Sequence, residues 1–125
     1  MHGVQRPLSP YWIYRWQITM WLSSLHRISG LLLSLGAVVL AAWLIALASG
    51  PESFDTFAGI VGAGWFKPLL VGWAFCFFYH LANGVRHLAG DMGYGFDRAR
   101  IRQSGWTVIV VSVAATAAFS FAAIF

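Results

Sequence analysis

The sequence predicts an all-α membrane protein with three transmembrane helices. The chain has 125 residues, 59% of them hydrophobic and only 10% charged, whereas a soluble domain carries roughly 25% charge. It contains three long apolar segments, more than a water-soluble core of this size can hide. Those segments are continuously apolar rather than alternating, which favours helices over a barrel. Residues 1–125 therefore read as a single transmembrane domain, with helices at about 20–48, 66–89 and 104–125.

The net charge of +4 and pI of 9.9 do not point to nucleic acid. The basic residues are split between two short segments that flank apolar spans, the usual signature of membrane topology. The one cysteine, Cys76, lies inside an apolar run. It cannot form an internal disulfide, and without CxxC or CxxCH company it implies neither zinc nor covalent haem attachment.

Residues 1–20 hold Arg6-Pro7-Leu8-Ser9-Pro10 and then Tyr11-Trp12-Ile13-Tyr14-Arg15-Trp16. The prolines oppose regular helix. The aromatic cluster suits the headgroup layer, as a simple anchor or as a docking strand for a soluble partner. The first span follows. It is charge-free from Ile28 to Ser49, long enough to cross the hydrocarbon, and Gly50-Pro51 ends it. It is too long for a signal peptide's apolar region and is expected to be retained.

Phe54 to Trp65 is mildly apolar and glycine-rich, either a short interfacial helix or an irregular lead-in. The second span starts near Phe66, with Pro68 in its first turn, and stops at Gly90 and Gly93. A loop over residues 91–103 carries Arg98, Arg100 and Arg102. The third span, Ser104–Phe125, is uncharged. Its Ser112, Thr116 and Ser120 recur every fourth residue, spacing that favours close helix packing. Arg6, Arg15 and Arg27 precede the first span, and Arg86, Arg98, Arg100 and Arg102 surround the end of the second. The N-terminus is therefore expected in the cytoplasm and the C-terminus outside.

The chemistry centres on Tyr79–Asp91. At roughly 100° per residue, His80, Gly84, His87 and Asp91 fall on one helix face. Ionisable groups inside a span usually face the bundle interior and have functional roles. His80 lies roughly 12–15 Å below the nearer interface. It reads either as a histidine bonded to a neighbouring helix or as an axial ligand of a b-type haem, for which neutral imidazole is well suited. Gly84, one turn on, would give a flat macrocycle room.

His80 and His87 are about 10 Å apart along one face, so they cannot approach one iron from opposite sides. His26 is expected level with His87 rather than His80. A second axial ligand would then come from another chain. Ser23 and Arg27 are one turn apart beside His26. They offer donors to a carbonyl that becomes negative on reduction, or to haem carboxylates. Equally, Arg27 could simply snorkel. The functional reading places Arg27 inside the bundle rather than against lipid.

Arg6-Pro7-Leu8-Ser9-Pro10, Ser24-Leu25-His26-Arg27-Ile28-Ser29-Gly30 and His80-x3-Gly84-Val85-Arg86-His87-Leu88-x2-Asp91-x-Gly93 resemble the cytochrome b556 family of succinate dehydrogenase membrane anchors. The resemblance covers nearly the whole chain, including the Ser-x3-Arg and His-x6-His signatures. It implies that His80 binds haem iron, that His26 and Arg27 lie near the haem propionates, and that Ser23 and Arg27 hold the quinone headgroup. It also implies haem b and ubiquinone, together with a flavoprotein, an iron–sulfur protein and a second small anchor that completes the helical bundle. The chain would be non-catalytic alone and would sit in a bacterial inner membrane. Two rival readings are the anchor of a fumarate reductase and a purely structural anchor. The second would not need His80 or the Ser23–Arg27 pair.

Overall fold

The computed structural model describes residues 18–94 and 98–125. The aromatic, proline-bearing start and His2 lie outside the described residues. The described chain forms four helices, α1 (Ile18–Ser49), α2 (Pro51–Val61), α3 (Lys67–Asp91) and α4 (Arg98–Ala123), with no strand among them. Three of these, α1, α3 and α4, are long and apolar enough to cross a membrane.

Local chemistry explains the helix ends. Gly50 sits at φ +112°, a conformation open chiefly to glycine, so the chain turns there and restarts with Pro51 in the first turn of α2. The ambiguous Phe54–Trp65 stretch is helical as far as Val61 and then turns. Phe54 packs edge-on against Trp43 of α1, with ring centroids 6.5 Å apart. Gly90 remains helical, and the stop comes at Gly93, at φ +93°.

The third long helix starts at Arg98 rather than Ser104. Arg98, Arg100 and Arg102 therefore lie on helix and not in a loop. Hydropathy marks where the apolar part begins, but backbone hydrogen bonding continues into polar sequence beyond it.

The central helix is α3. It packs most extensively on α4 and next on α1, while α1 meets α4 only lightly. All three meet in a buried cluster of Leu22, Tyr79 and Val108. The Tyr79 hydroxyl donates to the Leu22 carbonyl at 2.6 Å, which satisfies a phenol held inside the bundle. Further along the same seam the Trp73 indole N–H donates to the Leu32 carbonyl at 3.0 Å. Gly36 makes room for that indole, since a Cβ there would stand 3.0 Å from it. These two long-range bonds fix the register of α1 against α3.

On α4, Ser112, Thr116 and Ser120 are all buried. They form the small-residue line expected of a packed membrane seam. By contrast, large apolar residues of α1 such as Leu31, Val38 and Ile45 are exposed. The small core shared by the three helices does not cover this face of α1, which is left for lipid or other helices.

Candidate functional site

The α1–α3 seam gathers three histidines at the N-terminal end of α1. His26 stacks on His80 with centroids 4.0 Å apart and planes within 8°. His87 stands tilted against His26 at 5.7 Å. The two α3 histidines are seven residues apart and so nearly in line on the helix; His26 reaches into the gap between them. An ideal Cβ on Gly84 would lie 3.9 Å from the His26 ring, so Gly84 also faces this seam. Asp91, the last member of the line, is exposed at the end of α3.

Two expectations change here. His26 lies closer to His80 than to His87, whereas sequence depth placed it level with His87. Its depth is set by the α1–α3 register, which hydropathy does not reveal. Secondly, Gly84 only faces the His26 ring at ordinary contact distance, and the close approach in this seam lies elsewhere. The tight glycine is Gly30, across the seam on α1. A Cβ at that position would come 3.0 Å from Cε1 of His80.

His80 is held through one ring nitrogen. Its Nδ1 lies 3.1 Å from the Ser29 hydroxyl oxygen and 3.2 Å from the His26 carbonyl oxygen. Ser29 itself donates to the same carbonyl at 2.8 Å. Among the described residues, no group hydrogen-bonds the other nitrogen of His80, Nε2. The Nδ1 of His26 is buried and likewise has no partner there. Buried polar atoms normally find partners, so an orphaned nitrogen beside a free one suggests a ligand. An imidazole held through one nitrogen, with the other unpartnered among the described residues, has the donor chemistry that a haem iron takes. No three His, Cys, Asp or Glu side chains among the described residues converge on a bare metal ion.

Ser23 and Arg27 lie on a neighbouring face of α1. Arg27 follows His26 by one residue, so it points roughly 100° away from the histidine stack. Ser23 is half-buried and Arg27 is exposed. Arg27 thus points away from His26 and lies outside the α1–α3 seam, exposed among the described residues.

Sequence reasoning also missed some residues. Ser29 and Gly30 stood in the quoted motif without a role, though helical spacing puts them on the His26 side of α1. Asn83 is fully buried, and both its side-chain nitrogen and oxygen lack partners among the described residues. Its place one turn after Tyr79 was the available signal.

The fold and site define a membrane protein with three helices long and apolar enough to span a bilayer and a histidine cluster between two of them. The chain belongs to the succinate dehydrogenase/fumarate reductase transmembrane subunit family, matched over residues 3–119. It is 41% identical over 113 residues to the succinate dehydrogenase cytochrome b556 subunit of Rickettsia felis, covering 90% of this chain and 88% of the relative. The corresponding subunit of Rickettsia prowazekii is 37% identical over 114 residues, with the same coverages. The human mitochondrial cytochrome b560 subunit is 35% identical over 117 residues, covering 89% of this chain and 68% of the relative.

Proposed function

We propose that this chain is the haem-bearing anchor of a bacterial succinate dehydrogenase and forms one wall of its ubiquinone-reduction site. The observation that carries the reading is His80, an imidazole within a membrane span with one nitrogen anchored and the other unpartnered. The names of the relatives favour succinate oxidation over fumarate reduction. Bound haem b would supply a one-electron store beside the electron route.

In this reading His80 would hold the haem iron through Nε2, with His26 and Arg27 near the haem carboxylates. The face-to-face stack of His26 on His80 cannot place both rings on opposite sides of one iron. This supports a second axial ligand from the partner anchor. Ser23 and Arg27 hold the quinone headgroup. Reduction builds negative charge on the quinone oxygens, and a fixed cation and a hydroxyl donor stabilise that charge more than the neutral ground state. The exposure of Arg27 on this chain fits a site shared with neighbouring subunits. Those partners are a flavoprotein, an iron–sulfur protein and the second small anchor. The complex sits in the inner membrane with the N-terminus of this chain cytoplasmic.

The test separates two activities of the purified complex. Arg27→Leu and Ser23→Ala are expected to slow quinone reduction, by about a hundredfold or somewhat less in a partly wet site. Electron transfer from succinate to a soluble artificial acceptor should survive. If both activities fall together, Arg27 is structural; if neither falls, quinone binds elsewhere.

A further inference from the structure

We propose that Ser29 and Gly30 of α1 are positioning residues for His80, selecting its tautomer and its ring position. This rests on the reading of His80 as an iron ligand. The proton count comes first. The His26 carbonyl can only accept, and it lies 3.2 Å from His80 Nδ1. If Nδ1 were bare, its lone pair would face the carbonyl lone pairs at that distance. Ser29 has one hydroxyl hydrogen, which it gives to the same carbonyl at 2.8 Å. Toward Nδ1, 3.1 Å away, Ser29 therefore presents an acceptor. Both contacts require the proton on Nδ1, which leaves Nε2 with the lone pair that a metal needs. A ligating histidine commonly donates its other ring N–H in this way, which fixes the tautomer and raises ligand basicity.

Ser29 suits this task because it is 4% exposed. Water does not compete for the bond, and its back-bond to its own helix aims the oxygen. Gly30 sets position rather than protonation. A Cβ there would stand 3.0 Å from His80 Cε1 and 3.6 Å from Nδ1. With a real methyl group there, the ring would have to give by a few tenths of an ångström.

The test uses the assembled complex with Ser29→Ala, Ser29→Thr, Gly30→Ala and, as control, His80→Ala. Complex prepared without haem is labelled with ¹⁵N-histidine, and the His80 signals are assigned by their loss in His80→Ala. The wild type should show His80 protonated at Nδ1; Ser29→Ala leaves the His26 carbonyl as the remaining acceptor and should show a larger minor fraction protonated at Nε2. In the haem-loaded complex, Ser29→Ala should weaken haem retention about tenfold or more. It should also shift the low-spin electron paramagnetic resonance signal and raise the haem midpoint potential, since a less basic imidazole stabilises ferric iron less. Ser29→Thr restores the hydroxyl and should return all three readouts toward wild type. Gly30→Ala should shift the resonance signal with the tautomer unchanged. If His80→Ala removes haem while Ser29→Ala leaves tautomer, signal and potential at wild-type values, the positioning role is wrong and the ligand reading stands. If His80→Ala keeps its haem spectrum, both fall.

Discussion

The central helix α3 carries polar side chains toward both of its neighbours, and the two seams treat them differently. Toward α4 the polar groups are mostly satisfied on the spot. Ser112 donates to Val108 and Thr116 to Ser112, each at 2.6 Å along their own helix. Arg86 reaches across to the Ser104 hydroxyl at 3.0 Å and the Ile101 carbonyl at 3.3 Å. Toward α1 the histidines are packed ring on ring, yet nitrogens of His26 and His80 lack partners among the described residues. A polar residue inside a span is therefore not by itself a sign of function. Unused bonding capacity, next to a side chain already fixed in place, is the better signal. Asn83 and Ser120 are the exceptions, buried with side-chain atoms unpartnered among the described residues.

The largest effect expected from breaking this contrast is at His80. His80→Ala should remove the low-spin b-type spectrum of the complex, because alanine has no lone pair for iron. His87→Ala should perturb it less, since that ring is exposed and touches the stack only through His26 at 5.7 Å. An unchanged spectrum and redox titration in His80→Ala would sink the ligand assignment.

On the other seam the expected effects concern stability, not the spectrum. Arg86→Ala removes both cross-helix bonds of a charged group, a loss of roughly 1.5–3 kcal/mol for such bonds. The complex should melt earlier with its haem absorption intact before melting. Ser112 sharpens the point, because size and polarity can be varied separately there. Ser112→Leu overpacks a fully buried position and should cost about 1–3 kcal/mol. Ser112→Ala removes only a bond within one helix and should stay within about 1 kcal/mol. Equal losses in the two variants would show that the hydroxyl, not the close approach, matters.

The smallest effect is expected at Gly84. An added Cβ there would meet His26 at 3.9 Å, ordinary contact. The helix gain from glycine to alanine, about 1 kcal/mol, should offset any loss, and the spectrum should stay at wild type. A spectral change as large as that of Gly30→Ala would mean that the seam is tighter at Gly84 than the structure shows.

The sequence by itself determined the all-α class and the presence of three helices long and apolar enough to span a membrane. An apolar run of membrane length carries its own evidence, since lipid burial depends on local composition. It also determined that His80, Gly84 and His87 share a face, because helical periodicity is local. The start of α4 at Arg98 was not legible, since polar sequence at a helix end carries no apolar signal. Only the tertiary structure decided how α1 and α3 slide past each other. That register rests on bonds between residues far apart in sequence, Tyr79 to Leu22 and Trp73 to Leu32. It brings His26 against His80, puts Ser29 and Gly30 at the ring's edge, and leaves Arg27 on the outer surface. Periodicity tells which face a residue occupies. Its depth relative to the next helix is a property of the pair, fixed by side chains that meet only after both helices have formed.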